Sequence, residues 1–259
     1  MAFADDSRRF ATVARDAFIV VALGADGWAI EQRIPLGFDT STRVALCPRP
    51  FCFASWEGKA FFAENDVGYA INLKDGRIER TSGASEKVSA YLRLPGRAVA
   101  EVLAEPFETR IRRDGKTEQV VGGALVCASP DGRTWLVAPN PDAYPWYVVE
   151  LALVDAREGR TLTRFKAGWP ESGRGTPGWQ FKKAVFSRDG TWLATITNVS
   201  GISLMKARTG EGRQVIIEDL DIAGRPEGLA FTADGRLLTA SCPRGNDARP
   251  GVLLWERRP

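Results

Sequence analysis

The sequence of 259 residues predicts an all-β protein made of repeated four-stranded antiparallel sheets, and three observations support this fold class. An apolar strand, an Asp-Gly turn and a second apolar strand recur along the chain. Glycine adopts positive φ at little cost and aspartate tolerates tight turns, so Asp-Gly between apolar runs is a strong hairpin signal. No long segment keeps the 3.6-residue period of an amphipathic helix. The pattern therefore favours hairpins throughout.

The repeat is clearest in the C-terminal half, where three segments align around the same turn. They read LVCASPDGRTWLVA from Leu125, AVFSRDGTWLAT from Ala184 and GLAFTADGRLLTA from Gly228. The similarity continues downstream, because LALVDAREGRTL and ISLMKARTGEGRQV also correspond. Each complete copy predicts four strands. The aligned turns contain Asp131–Gly132, Asp189–Gly190 and Asp234–Gly235.

The N-terminal half carries weaker copies of the same unit. FASWEGKAFFA from Phe53 is followed by YAINLKDGRIER from Tyr69, with Glu57–Gly58 in place of the Asp-Gly turn. Between Ser85 and Val121, the runs KVSAYLRL, RAVAEVLA, ETRIRR and KTEQVV predict four short strands. Nearer the N-terminus, AFIVVAL and WAIEQRI flank GADG and predict one more hairpin.

The spacing of the copies predicts a single β-propeller that occupies residues 1–259. Propeller blades repeat at roughly 40 to 50 residues, and blades in a ring bury both faces of each sheet. Dividing the chain by this period gives six blades, with five or seven as open alternatives. The last segment, VLLWERRP, supplies only a third strand. We therefore expect an N-terminal strand within Arg8–Ala14 to complete the last sheet and close the ring.

These segments resemble WD40 and related WD40-like repeats. The resemblance rests on AVFSRDGTWLAT and on LLWE at Leu253–Glu256, where WD40 repeats end in Trp-Asp. The chain departs from that pattern because it has no histidine for the usual Gly-His dipeptide, and Glu256 replaces aspartate. The resemblance implies a platform for protein assembly that commonly has no catalytic activity. The leading hypothesis is therefore a non-catalytic scaffold, a subunit of a multiprotein assembly.

Composition narrows the remaining functions. The absence of histidine excludes serine–histidine and cysteine–histidine catalysis and HExxH zinc chemistry. A formal charge of +3 disfavours nucleic acid as the sole direct partner. The apolar run Ala17–Leu23 is too short for a membrane span, and four cysteines without CxxC spacing favour buried, reduced thiols. We therefore expect a cytoplasmic protein without a cofactor and without membrane attachment.

Two sets of residues are candidates for partner binding. Aromatic residues in the Pro- and Gly-rich segments PNPDAYPWY and KAGWPESGRGTPGWQF can anchor an interface, although they can also pack within their own loops. Arginines that alternate along ETRIRR can contact an acidic partner or phosphates, although solvated strands also carry such charges. The candidates are Tyr144, Trp146, Tyr147, Trp169, Trp179, Arg110 and Arg112.

Two alternative functions stay open beside the scaffold. The repeated aspartates are explained by their turns, but PEGLAFTADGRLL from Pro226 is similar to lactonase-type propellers related to gluconolactonase. That resemblance implies a divalent metal on oxygen ligands, with Glu227 as the ligand candidate and Asn198 as a weaker one. The first alternative is thus a metal-dependent lactonase-like hydrolase, and the second is a nucleic-acid contact subunit.

Overall fold

A computed structural model gives the architecture of the chain. It describes residues 2–3, 9–14, 16–37, 52–53, 58–64, 66–96, 98–114, 116–139, 150–166, 181–197, 201–209, 214–217, 225–242 and 251–255. These residues form β-strands joined by turns and contain no α-helix, which confirms the all-β class. The chain divides into two compact units, Met1–Gly122 and Gly123–Pro259.

The described part of the N-terminal unit contains three four-stranded sheets, each with its strands in sequence order. The first sheet consists of β1 (Ala2–Phe3), β2 (Arg9–Ala14), β3 (Ala17–Gly24) and β4 (Gly27–Pro35). The second consists of β5 (Cys52–Phe53), β6 (Lys59–Glu64), β7 (Val67–Asn72) and β8 (Ile78–Arg80). The third consists of β9 (Lys87–Leu94), β10 (Ala98–Glu105), β11 (Glu108–Arg113) and β12 (Lys116–Gly122).

The described part of the C-terminal unit contains three further antiparallel sheets. The fourth sheet consists of β13 (Ala124–Ala128), β14 (Thr134–Ala138), β15 (Glu150–Asp155) and β16 (Thr161–Lys166). The fifth consists of β17 (Phe181–Phe186), β18 (Trp192–Thr197), β19 (Gly201–Lys206) and β20 (Gln214–Ile217). The sixth consists of β21 (Arg225–Phe231), β22 (Leu237–Cys242) and β23 (Gly251–Trp255).

The prediction that a strand within Arg8–Ala14 completes the last sheet is wrong. Residues Arg9–Ala14 form β2, which pairs with β3 on one side and with β1 on the other. Both hydrogen-bonding edges of this strand are therefore used within the first sheet, so it cannot also complete the sixth. Among the described residues, the sixth sheet keeps the three strands that the sequence predicts for it.

Consecutive sheets in each unit pack face to face through apolar side chains. In the N-terminal unit, Phe18 and Val20 of the first sheet form one buried cluster with Phe62 and Ile71 of the second. In the C-terminal unit, residues of the fifth and sixth sheets form a similar cluster. The first strands of successive sheets also contact each other, β1 with β5, β5 with β9, β13 with β17 and β17 with β21. Among the described residues, consecutive sheets of each unit therefore lie next to each other.

Candidate functional site

The turn between the first two strands of the fourth sheet is held by a network on Asp131. Ser129 Oγ donates to Asp131 Oδ1 at 2.6 Å, and the backbone N–H of Arg133 donates to the same oxygen at 3.0 Å. Ser129 Oγ also accepts the backbone N–H of Thr134 at 2.9 Å. Gly132 completes the turn with a φ of 71°. The carboxylate therefore works as a turn cap.

The same turn recurs in the fifth and sixth sheets. Ser187 Oγ donates to Asp189 Oδ1 at 2.5 Å, and the Thr191 N–H donates to it at 3.0 Å. In the sixth sheet, Thr232 Oγ1 donates to Asp234. These hydrogen bonds lower the pKa of each aspartate, and the bond from the Ser or Thr hydroxyl contributes most. The pKa of Asp234 falls to about 2. The repeated aspartates stay ionised to maintain the turns.

A groove lies between these turns of the fourth and fifth sheets. Its volume is about 320 Å³, near the lower end of the range for small-molecule sites. We call it the turn groove. Its lining includes two carboxylates, two cationic side chains and several hydroxyl-bearing residues: Ser129, Asp131, Thr134, Asp189, Gly190, Thr191, Lys206, Arg208 and Thr209.

The two cations of the turn groove are displayed by the end of β19. Between them lies Ala207, which is buried and whose backbone N–H donates to the Thr191 carbonyl at 2.8 Å. This anchor fixes the backbone, while the Lys206 and Arg208 side chains on either side of Ala207 are exposed. The site can therefore offer an incoming anionic group two positive charges on an ordered backbone.

Arg110 and Arg112, predicted as partner-binding residues, lie on β11 in ion pairs. Arg110 Nη1 is 2.5 Å from Glu86 Oε1, and its Nε is 2.8 Å from Glu108 Oε1. Arg112 Nη2 is 2.8 Å from Glu101 Oε2. Both guanidinium groups are thus engaged by carboxylates of their own unit, which leaves them poorly placed to bind phosphates.

Glu101 is a buried carboxylate that the sequence analysis did not single out. It is fully buried in β10, where the Tyr91 hydroxyl donates to its Oε1 at 2.8 Å. Tyr91 also forms a short hydrogen bond with the Thr81 hydroxyl. Burial raises the pKa of Glu101, while Arg112 and the Tyr91 hydrogen bond act in the opposite direction. The sequence did contain a signal for this buried carboxylate, because Glu101 is the single acidic residue in the otherwise apolar run AVAEVLA.

An apolar face of the first sheet was also missed. Leu23, Trp28 and Ile30 are 43%, 48% and 63% exposed, and they lie together on the β3–β4 hairpin. The alternation in WAIEQRI would put Trp28, Ile30 and Ile34 on one face. The pairing of β3 with β4 skips Glu31, however, so Ile34 is buried on the opposite face.

The remaining predicted residues fall largely outside the described part of the chain. Among them, Glu227 lies in β21, with its side chain outside the described set. In the described residues, no group of three His, Cys, Asp or Glu side chains could hold a metal ion, and no helix is long and apolar enough to cross a membrane. Entirely outside the described residues are Tyr144, Trp146, Tyr147, Trp169, Trp179 and Asn198.

The chain was compared with known proteins. No protein-family model matches the chain, and no curated protein matches it significantly.

Proposed function

We propose that the chain is a non-catalytic protein-interaction scaffold, a subunit of a multiprotein assembly, whose sheets are the blades of a WD40-like six-bladed β-propeller. It would work in the cytoplasm, where the Cys127 thiol stays reduced. The observation that carries the proposal is the turn groove, which presents Lys206 and Arg208 beside turns of fixed geometry.

The sheets support the propeller part of the proposal. Consecutive antiparallel sheets pack face to face, and their first strands contact each other in succession within each unit. This is the neighbour relationship that blades have around an axis. In such a fold the turns at the strand ends lie on one face of the ring, where partners have access to them.

The chemistry of the turn groove supports binding rather than catalysis. Asp131 and Asp189 are the acids that line it, and each is hydrogen-bonded within its own turn. A general base needs a pKa near the working pH, whereas the hydrogen bonds from the turns lower the pKa of both aspartates. These carboxylates are therefore structural, and the cations are the groups available to a partner.

The scaffold proposal is tested by purifying the tagged chain from its native cells under mild conditions and measuring the mass of the particle. We expect a complex in which defined partner proteins are present in fixed stoichiometry. Elution of the chain as a stable monomer without partners would refute the scaffold function. Reconstitution of the complex from the purified components then shows which partner makes the direct contact.

The ring is tested separately at the apolar face of the first sheet. Ile30 is 63% exposed in the structure, whereas a closed ring would cover both faces of each blade; closure therefore predicts that a cysteine introduced by Ile30→Cys reacts more slowly with a maleimide than this exposure would allow. Asp26→Cys is the matched control, because Asp26 lies in the exposed turn of the same hairpin. Equal labelling rates at the two positions would mean that the outer face of the first sheet is open, which would refute closure.

A further inference from the structure

The last residue of the third strand differs between the fourth and fifth sheets, although the turns that follow it are otherwise equivalent. In the fourth sheet the Ala156 N–H donates to the Arg133 carbonyl at 2.9 Å, and in the fifth the Ala207 N–H donates to the Thr191 carbonyl at 2.8 Å. The two alanines are therefore equivalent. The residue before each is Asp155 in one sheet and Lys206 in the other, so the charge at this position is reversed.

Asp155 has a structural role that a lysine cannot fill. Its Oδ1 accepts the backbone N–H groups of Arg157 and Glu158, both at 2.9 Å, and so caps the turn that follows β15. An ammonium group has no acceptor, so Lys206 cannot cap the corresponding turn. The fifth sheet has lost this cap and carries a cation that points into the turn groove instead.

Some arginines of the neighbouring turns are paired with a carboxylate of their own turn. Arg160 lies 3.3 Å from Glu158, and Arg236 lies 2.8 Å from Asp234. By contrast, neither Lys206 nor Arg208 forms an ion pair with a carboxylate among the described residues. The charge of Arg208 acts on Asp131, where it helps the turn hydrogen bonds to lower the pKa of that carboxyl. Within the described residues, the groove therefore holds two cations that have no carboxylate ion-pair partner.

We propose that Lys206 and Arg208 bind acidic side chains of a partner protein that lies across the turn groove. This inference rests on the proposed scaffold function and names the chemistry of the partner. The groove volume of about 320 Å³ accommodates one or two carboxylate side chains. Thr134 lines the same space, and its hydroxyl can donate to them.

A protein segment fits this surface better than a nucleic acid does. Asp131 and Asp189 line the same groove and stay ionised, so they repel a polymer that carries negative charge at every unit. A peptide can place its acids opposite the cations and uncharged residues opposite the aspartates, which gives selectivity through repulsion of the wrong partner. The net charge of only +3 agrees with this choice.

The experiment uses the full chain and three fluorescein-labelled probes. The first is a peptide in which Glu alternates with Gly and Ser, the second has Gln in place of every Glu, and the third is a single-stranded oligo-dT. We expect anisotropy titrations at low salt to detect binding of the Glu peptide and to show that added salt weakens it. The Gln peptide should not bind measurably, and oligo-dT should bind more weakly than the Glu peptide.

Matched charge reversals locate the binding surface. The double variant Lys206→Glu/Arg208→Glu should weaken binding of the Glu peptide about tenfold or more, because two attractive contacts become repulsive. Lys183→Glu is the control, since Lys183 is exposed on β17 of the same sheet but precedes the turn. It should leave the affinity unchanged. Lys206→Gln/Arg208→Gln should give an intermediate loss, which separates a charge effect from damage to the fold.

Several results would overturn the inference. They are no binding of the Glu peptide, equal binding of the Gln peptide, tighter binding of oligo-dT, or an equal loss in Lys183→Glu. The two proposals also fail separately. If the native complex survives Lys206→Glu/Arg208→Glu, the scaffold function stands and the acidic docking site is refuted. If the Glu peptide binds but no native complex exists, the docking site stands and the scaffold function is refuted.

Discussion

Removal of the Arg112 side chain should destabilise the N-terminal unit strongly, because it leaves a buried carboxylate without its counter-ion. Arg112 Nη2 lies 2.8 Å from Glu101 Oε2, and Glu101 is fully buried. Breaking one partner of a buried ion pair typically costs about 3–5 kcal/mol. Tyr91 still donates to the other carboxylate oxygen and the Arg112 side chain is 26% exposed, so we expect Arg112→Ala to fall at the lower end of that range.

The penalty should depend on pH with a definite sign. Burial raises the pKa of Glu101 in the folded protein, so the folded state holds this proton to a higher pH than the unfolded chain does. Stability from this group is therefore lost as pH rises from the unfolded pKa through the folded one. Arg112 opposes the shift, and its removal raises the folded pKa further. The cost of Arg112→Ala should be largest near pH 8 and smaller near pH 5.

Urea unfolding followed by tryptophan fluorescence at these two pH values measures the effect. Arg113→Ala is the control, because Arg113 is 46% exposed and its contact with Glu118 spans 3.4 Å. Such a surface pair contributes about 0–1 kcal/mol. Adding Glu101→Gln to Arg112→Ala should recover part of the loss, since the buried charge is removed. A cost below about 1 kcal/mol for Arg112→Ala, or one independent of pH, would refute the buried ion pair.

Three further predictions test other parts of the fold. Gly123→Ala should lower the free energy of unfolding in urea by about 1–3 kcal/mol. The reason is that Gly123 has a φ of 97° and an added Cβ would lie 2.6 Å from the Ala138 carbonyl oxygen. Gly122→Ala is the control and should change the free energy of unfolding little, because there is open space around its Cβ. Asp189→Asn should flatten the fall of thermal stability below about pH 4. The turn hydrogen bonds that lower the pKa of Asp189 stabilise the fold above the unfolded pKa, and this stability is lost as pH falls through the folded pKa. An unchanged profile would contradict the role of Asp189 as a cap. Cys127 is partly buried, and burial raises the pKa of its thiol, so peptide mapping after maleimide treatment should find Cys127 labelled more slowly in the folded protein than in urea; equal rates would contradict this.

Strands and turns followed from local sequence features, and these predictions are largely confirmed. The runs KVSAYLRL, RAVAEVLA, ETRIRR and KTEQVV became β9 to β12 because alternation and turn residues act over a few positions. The exposure of Trp28 and Ile30 could not be predicted from alternation in the same way. It depends on how β4 pairs with β3, where skipping Glu31 moves both side chains to the exposed face.

The partners of Arg110 and Arg112 were beyond sequence reasoning for a related reason. Alternation along β11 correctly puts both arginines on one face, but pairing depends on what neighbouring strands and turns place there. Glu101 comes from β10, and Glu86 comes from the turn before β9. These contacts depend on register and on sheet order, neither of which a single strand encodes.

A repeated fold makes departures from the repeat informative, and two such departures lead to opposite conclusions. Glu101 is a charge in an apolar strand, but Tyr91 and Arg112 contact both carboxylate oxygens, so its role is completed inside the N-terminal unit. Lys206 is a charge reversal in a turn, where the equivalent Asp155 caps the chain. Lys206 loses the cap and gains no ion-pair partner among the described residues. Because Lys206 costs the turn a cap and pairs with no described carboxylate, we propose for it a role in binding a partner, and the turn groove rather than the repeated Asp-Gly turns carries the functional proposal.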